Sequence, residues 1–113
     1  MKCNWPLGNG QHLEFDVIEN NEVWKAMAGL YIFTYQLHNG NWRAIYIGQT
    51  NNFSMRMPNH DRMNEAALAG ATHIHAKSVF SQQDRDLWES NLINHLQPPL
   101  NQHHRHDDWG RLI

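Results

Sequence analysis

Apolar and polar residues follow a strand-like pattern in the middle of the chain. Residues 31–37 and 42–47 are rich in aromatic and β-branched side chains, and Asn39 and Gly40 lie between them. An Asn-Gly pair between two such segments is a strong signal for a two-residue type I′ turn. The pattern therefore predicts a β-hairpin.

The predicted turn determines which residues of the hairpin face each other. Counting outward from it pairs Phe33 with Tyr46 and Tyr31 with Gly48. Tyr31 and Tyr46 then become diagonal neighbours about 7–8 Å apart on one face, within joint reach of a small ligand or a phosphate. The alternative is that both tyrosines are simply good strand formers. The residues predicted for the opposite face, which would pack on helices, are Ile32, Thr34, Ile45 and Ile47.

Further strand-like segments lie on either side of the hairpin. Residues 72–80 predict a third strand, and residues 13–17 alternate like a short edge strand. Asn20 or Asn21 is suited to cap a short helix that Gly29 would end.

Two later segments have helical spacing. Residues 51–68 predict a helix that Pro58 kinks or restarts. Ser81 followed by Asp84 resembles a capping box that opens a helix, and Pro98 marks its end. The sequence therefore predicts an α+β fold with a small three-stranded antiparallel sheet flanked by helices.

Composition limits the class of protein. A chain of 113 residues supports one compact domain, and Cys3, its single cysteine, excludes an intramolecular disulfide. No stretch approaches the roughly 18 apolar residues of a membrane span, and the first ten residues do not resemble a signal peptide. We therefore expect a cytoplasmic protein with no membrane partner.

The charge distribution bears on nucleic-acid binding. The net charge of −2 argues mildly against it, because phosphate contacts normally need an excess of Lys and Arg. Residues 41–80, however, carry four bases and two acids. Any affinity for anions is therefore expected in the middle of the chain.

A carboxylate lies within an apolar stripe of the last predicted helix. Glu89 precedes Leu92, Ile93 and Leu96 at helical spacing, so it should face inward, where a carboxylate must be paired, hydrogen-bonded or bound to a metal. Arg85, one turn earlier, offers a structural ion pair. Mg2+ is the other candidate partner, since it often takes one or two carboxylates and completes its shell with water and phosphate.

Arginine and histidine side chains supply the remaining candidate chemistry. Arg56 and His60 are four residues apart and share a helix face if the helix continues through Pro58. A guanidinium grips phosphate, and a neutral imidazole accepts a proton near neutral pH, although a solvated helix face is the alternative. Fortuitous zinc or nickel binding is conceivable at the other clustered histidines, which are His73, His75, His103, His104 and His106.

These elements occur in the order of the GIY-YIG nuclease superfamily, which residues 29–101 resemble. A small stand-alone member is indicated, with residues 1–28 as an N-terminal extension, residues 29–101 as the catalytic domain and residues 102–113 as a tail. The motif residues are Gly29-Leu30-Tyr31, then the run from Tyr46-Ile47-Gly48-Gln49 to Phe53, then Arg56, His60 and Glu89, and finally Pro98-Pro99-Leu100-Asn101. No single element is specific, whereas their order is.

The resemblance implies metal-dependent cleavage of DNA. Glu89 would ligate one divalent cation, Mg2+ or alternatively Mn2+, and Arg56 would neutralise the transition state. Tyr31 or Tyr46 would orient or deprotonate the attacking water, assisted by the other phenol and His60.

The resemblance also implies roles for three further motif positions. Gly48, Gln49 and Asn101 would contact substrate, although Asn101 would alternatively brace the site. Gln49 departs from a lysine that some members carry and that could tune a tyrosine.

Two other classes of function stay open. One is a catalytically weak or inactive nucleic-acid-binding or regulatory module on the same fold, favoured by the acidic balance and Gln49. The other is a protein-interaction domain, favoured by the five tryptophans. The sequence also leaves open whether two copies pair as a homodimer. The tryptophans are Trp5, Trp24, Trp42, Trp88 and Trp109.

Overall fold

A single antiparallel sheet organises the molecule. The computed structural model describes residues 1–19 and 23–101, and the tail beyond residue 101, with Trp109 and three of the clustered histidines, lies outside them. The strands in chain order are β1 (Lys2–Pro6), β2 (His12–Val17), β3 (Gly29–Gln36), β4 (Trp42–Thr50) and β5 (His73–Ser78). They are arranged β1-β2-β5-β3-β4.

The prediction of three strands was wrong, because both N-terminal strands join the same sheet. β1 pairs with β2, and β2 pairs with β5 through Asp16 and Val17. The alternation of β2 buries Leu13, Phe15 and Val17 while its other residues stay exposed. The sequence pattern thus located β2 correctly but did not indicate its partners or β1.

The predicted N-terminal helix is also wrong over its described part, since residues 23–28 form no helix. The carbonyl of Met27 accepts a hydrogen bond from the Phe53 backbone N–H, and that of Lys25 accepts one from Ser54. These carbonyls therefore satisfy N–H groups at the start of the next helix, and the Lys25 carbonyl also accepts from the Met27 N–H. The ring of Trp24 packs 5.5 Å from that of Phe53.

Three helices flank the sheet. Pro58 does interrupt the first helical segment, which divides at the 3₁₀ turn Met57–Asn59. Ser81 caps the last helix by accepting from the Asp84 N–H, as predicted. The helices are α1 (Phe53–Arg56), α2 (Met63–Leu68) and α3 (Gln82–Leu96), followed by a 3₁₀ turn at Pro99–Asn101. Among the described residues, no helix is long and apolar enough to cross a membrane.

Each face of the sheet has its own hydrophobic cluster. On one face, Leu30, Ile32 and Ile47 pack with Leu92 and Ile93 of α3. On the other face, which we call the tyrosine face, the packing partners come from α1, the 3₁₀ turn and α2. The buried members on this second face are Tyr31, Phe33, Ile45, Phe53, Met57, Ala66 and Ala76.

The hairpin turn has three residues, not the predicted two. Leu37 donates its N–H to the Asn41 carbonyl, and Gly40 donates to the Leu37 carbonyl. Gly40 has a φ of +91°, which suits a type I turn followed by a left-handed glycine.

A β-bulge then restores the predicted register at the tyrosines. Thr34 pairs with Ala44, but Phe33 pairs with Tyr46, so Ile45 is an extra residue on β4. Tyr31 consequently faces Gly48, as predicted. The bulge also breaks the alternation, which is why Ile45 joins the tyrosine face instead of the Ile32 and Ile47 face predicted for it.

The four described tryptophans belong to the hydrophobic clusters or pack against them. Trp5 is buried and donates from Nε1 to Nδ1 of the fully buried His75, 2.9 Å away. Trp42 and Trp88 pack against the α3-side cluster, and Trp24 packs against the other one. Packing thus accounts for four of the tryptophans that favoured a protein-interaction domain.

Candidate active site

A gap above Gly48 accommodates the phenol of Tyr31. Gly48 faces Tyr31 across the hairpin, and a Cβ placed on Gly48 would collide with the Tyr31 hydroxyl. At Gly29, a Cβ would collide with the Lys77 carbonyl and the Phe53 ring. Both motif glycines therefore permit close packing, and Gly48 leaves room for the Tyr31 phenol.

The two motif tyrosines share one face of the sheet, as the register predicted. Their ring centroids lie 6.4 Å apart. Tyr31 is 1% exposed, whereas Tyr46 is half-buried. Of the two phenols, Tyr46 is therefore the more accessible to water.

His60 completes a buried hydrogen-bonded pair with Tyr31. The phenol oxygen of Tyr31 lies 2.6 Å from Nε2 of His60, and Nδ1 of His60 accepts from the Arg62 backbone N–H at 3.0 Å. Burial, together with the positive charge of Arg56, lowers the pKa of His60 to about 4. A neutral imidazole that accepts at Nδ1 carries its proton on Nε2, so His60 donates to the Tyr31 oxygen.

Two arginines bring positive charge to this cluster. Burial raises the pKa of Tyr31, and Arg56 opposes that shift through its charge and a hydrogen-bonding interaction with the phenol. The Arg62 guanidinium carbon lies 5.7 Å from the centre of the Tyr46 ring. Burial raises the pKa of Tyr46 as well, and Arg62 is the leading opposing charge. Arg62 is not among the predicted site residues. The signal that points to it is a basic side chain two positions after His60.

Arg56 also has an acidic neighbour. Its guanidinium lies 3.0 Å from a carboxylate oxygen of Asp61, and both side chains are well exposed, at 39% and 76%. Exposed pairs of this kind contribute only about 0–1 kcal/mol. A phosphate could therefore replace Asp61 as the partner of Arg56 at little cost.

Glu89 approaches from α3, on the opposite face of the sheet. It is half-buried and accepts a hydrogen bond from Nε2 of Gln49, 2.9 Å away. Burial raises the pKa of Glu89, and this hydrogen bond opposes the shift. Arg85 does not act as its predicted partner, because the Arg85 guanidinium donates to the carbonyls of Val79 and Phe80 and to two glutamines.

The position of β4 relates the two parts of the site. β4 is an edge strand, with Tyr46 directed to the tyrosine face and Gln49 directed to α3. Burial is the main cause of the raised pKa of both Tyr31 and Tyr46, and the negative charge of Glu89 adds to it. The phenols and the carboxylate therefore lie on either side of the same edge strand.

The side chain of Asn101 connects the 3₁₀ turn Pro99–Asn101 to β4. Its side-chain oxygen accepts from the Ile47 N–H and its amide donates to the Ile47 carbonyl, each at 2.9 Å. Asn101 is 1% exposed. This geometry favours the bracing role over the predicted contact with substrate.

The side chains of the site suit a hard cation that takes most of its ligands from water and phosphate. Within residues 1–19 and 23–101, no three His, Cys, Asp or Glu side chains are grouped to hold a metal by themselves. Glu89 presents a partly desolvated carboxylate in which the contact with Gln49 uses only Oε1. One carboxylate with water and phosphate oxygens is an arrangement that Mg2+ accepts. Glu89 is therefore the residue that would hold such an ion.

Comparisons with known proteins agree with this geometry. No protein-family model and no curated protein matches the chain. Among solved structures, the N-terminal endonuclease domain of UvrC from Thermotoga maritima, a GIY-YIG domain bound to magnesium, has a TM-score of 0.56 and 23% identity, over 70% of this chain and 88% of that one. A point mutant of that domain, bound to its catalytic divalent cation, gives 0.57 and 23%, over 70% and 87%.

A five-stranded antiparallel sheet with α3 on one face and two short helices on the other defines an α+β fold. More specifically, the chain has the GIY-YIG fold.

Proposed function

We propose that this protein is a divalent-metal-dependent endonuclease of the GIY-YIG superfamily that hydrolyses phosphodiester bonds in DNA. The observation that carries the proposal is the cluster of Tyr31, His60 and Tyr46 on one face of the sheet, with Arg56 beside it. Glu89 lies across the same edge strand, where it contacts Gln49 of β4.

In this proposal, side chains of the protein bind the phosphate and accept a proton from the attacking water. Arg56 would exchange Asp61 for a phosphate and offset the charge that develops during hydrolysis. Tyr46, the more accessible phenol, would first lose its own proton to solvent, with the positive charge of Arg62 favouring the phenolate, and would then orient the attacking water and accept its proton. Tyr31 would accept a hydrogen bond from His60 Nε2–H, which holds the Tyr31 phenol in place beside Tyr46.

A divalent cation held by Glu89 would supply Lewis acidity at the scissile phosphate and positive charge near the phenols. Mg2+ is the expected ion, and Mn2+ remains an expected substitute. The bound cation in the structural neighbours and the half-buried carboxylate of Glu89 both support this assignment.

A plasmid-nicking assay tests the proposal. Purified protein is incubated with supercoiled DNA and Mg2+ beside the variants Glu89→Ala, Arg56→Ala and Tyr46→Phe. We expect nicking by the parent protein and at least about a hundredfold less by each variant, as is typical when one charge-stabilising group is lost. Equal nicking by all four proteins would identify a contaminating nuclease and refute the proposal.

The second candidate function is a DNA-binding module without cleavage, for which the supporting observation is Gln49, where some members of the superfamily carry a lysine. Salt-dependent binding of DNA by the parent protein, with no cleavage under Mg2+ or Mn2+, would favour it.

A further inference from the structure

A closed hydrogen-bonded network joins β4 to the first two turns of α3. Gln49 Nε2 donates to Oδ1 of Asp86 and to Oε1 of Glu89, both at 2.9 Å. Gln49 Oε1 accepts from Nε2 of Gln82 at 3.0 Å and from Nε of Arg85 at 3.3 Å. All the polar atoms of the Gln49 side chain therefore have partners on α3.

The rest of the network determines which way the Gln49 amide points. Arg85 is a donor only, and it contacts the oxygens of both glutamines. Gln82 in turn donates to Asp86 at 2.8 Å. Because Arg85 is 4% exposed and held by two backbone carbonyls, its orientation is set by the protein. The nitrogen of Gln49 must therefore face the two carboxylates.

This orientation has a consequence for Glu89. A glutamate side chain on a helix samples several rotamers, and ordering it for a metal ion has an entropic cost. The contact from Gln49 fixes Oε1 and leaves Oε2 as the oxygen that the network does not use. It is a neutral contact, so it orients the carboxylate without the competing positive charge that a lysine or arginine would introduce.

We propose that Gln49 is a positioning residue that holds the Glu89 carboxylate ready for a divalent cation, with Gln82 and Arg85 holding Gln49. This inference rests on the proposed function, since it assumes that Glu89 is the metal ligand. It replaces the predicted substrate contact of Gln49, because the amide is already committed to α3.

Cation binding without DNA tests this role directly. Free Mn2+ is quantified by electron paramagnetic resonance during titration of the parent protein and its variants, and Mg2+ is then added as a competitor. Gln49→Met keeps the bulk of the side chain and removes its hydrogen bonds. Outer-shell partners of metal ligands typically affect affinity by about 10–100-fold, so we expect roughly tenfold weaker binding.

Three further variants isolate the effect. Glu89→Gln gives the level for loss of the ligand, and Gln83→Met, an exposed position on the same helix, should leave the affinity unchanged. Gln82→Met should weaken binding less than Gln49→Met, because Arg85 still contacts Gln49. If Gln49→Met fails to fold by circular dichroism, the comparison of Gln82→Met with Gln83→Met still tests the network.

The outcomes separate this inference from the proposed function. Binding that is lost in Glu89→Gln but equal in the parent, Gln49→Met and Gln82→Met would overturn the positioning role and leave the nuclease proposal intact. Binding that is the same in the parent and in Glu89→Gln would overturn both. A tenfold loss in Gln49→Met, with normal affinity in Gln83→Met, would support the positioning role.

Discussion

The Tyr31 phenol and the His60 imidazole form a buried hydrogen-bonded pair, 2.6 Å between Oη and Nε2, although 29 residues separate them in the chain. His60 is neutral in this arrangement, because its Nδ1 accepts a hydrogen bond from the Arg62 N–H. His75 is a second buried histidine, and it too accepts at Nδ1, from Trp5. Both imidazoles would therefore lose a buried acceptor on protonation.

Stability should fall as the pH decreases from about 6.5 to about 4. Burial lowers the pKa of both His60 and His75 to about 4, so the unfolded chain binds these two protons first and acid favours unfolding. At pH 5 each histidine should cost about 2 kcal/mol relative to pH 7.5. Urea denaturation at the two pH values measures the difference.

His75→Asn is the control for carboxylates that titrate in the same range. The variant should lose less stability between pH 7.5 and pH 5 than the parent protein does. An equal loss in both proteins would contradict the contribution assigned to His75.

Gly48→Ala should damage the site through Tyr31. The added Cβ collides with the Tyr31 hydroxyl, and overpacking of this kind typically costs about 1–3 kcal/mol. We expect a lower unfolding midpoint and at least about tenfold slower DNA nicking.

A double variant checks the cause of that loss. In the Tyr31→Ala background the colliding ring and hydroxyl are both absent, so Gly48→Ala should cost less stability there than in the parent protein. The same cost in both backgrounds would show that the Tyr31 side chain is not the source of the strain.

The sequence predicted the positions of the tyrosines for a reason that is only partly correct. The assumed two-residue turn was wrong by one residue, and the bulge at Ile45 compensates by one residue. Two irregularities of opposite effect thus gave the expected pairing of Tyr31 with Gly48. Single-sequence patterns identify apolar alternation but do not locate a bulge, because the bulge depends on packing against other elements.

The same limit explains what was missed around Glu89. Helical spacing correctly placed Glu89 toward the protein interior. It also proposed Arg85 as the partner, since both lie on one helix four residues apart. The actual partner, Gln49, lies 40 residues away on β4, and such a contact follows from the docking of α3 on the sheet. Local spacing carries no information on that docking.

Asp61→Asn should strengthen DNA binding. Asp61 places a negative charge 3.0 Å from Arg56 and 3.7 Å from His60, where a phosphate is expected to bind. Removing this exposed charge should raise the affinity for DNA by a factor of a few at low salt, where the charge is least screened. Fluorescence anisotropy with a labelled duplex, in the absence of divalent cations, measures it.

The matched control is Glu14→Gln, which removes the same charge from an exposed position on β2. It should change the affinity for DNA much less than Asp61→Asn does. Equal gains in the two variants would indicate an effect of net charge alone, and no gain in Asp61→Asn would argue against phosphate binding at Arg56.

Arg62 should adjust the acidity of Tyr46. Its guanidinium lies over the Tyr46 ring and its charge opposes the rise in pKa that burial causes, so Arg62→Gln should raise the pKa of Tyr46 further. Arg62→Lys retains the charge and should change the pKa less. Absorbance titration of each protein, with the matching Tyr46→Phe variant subtracted, follows this phenol.

Because Arg62 also pairs with Glu65 at 3.0 Å, Glu65→Gln is the control that breaks the pair but keeps the arginine. A raised pKa in Arg62→Gln but not in Glu65→Gln would assign the effect to the guanidinium, whereas equal values in the parent and Arg62→Gln would exclude it. If Tyr46 accepts the proton of the attacking water, the alkaline rise of the nicking rate should move to higher pH in the same variant.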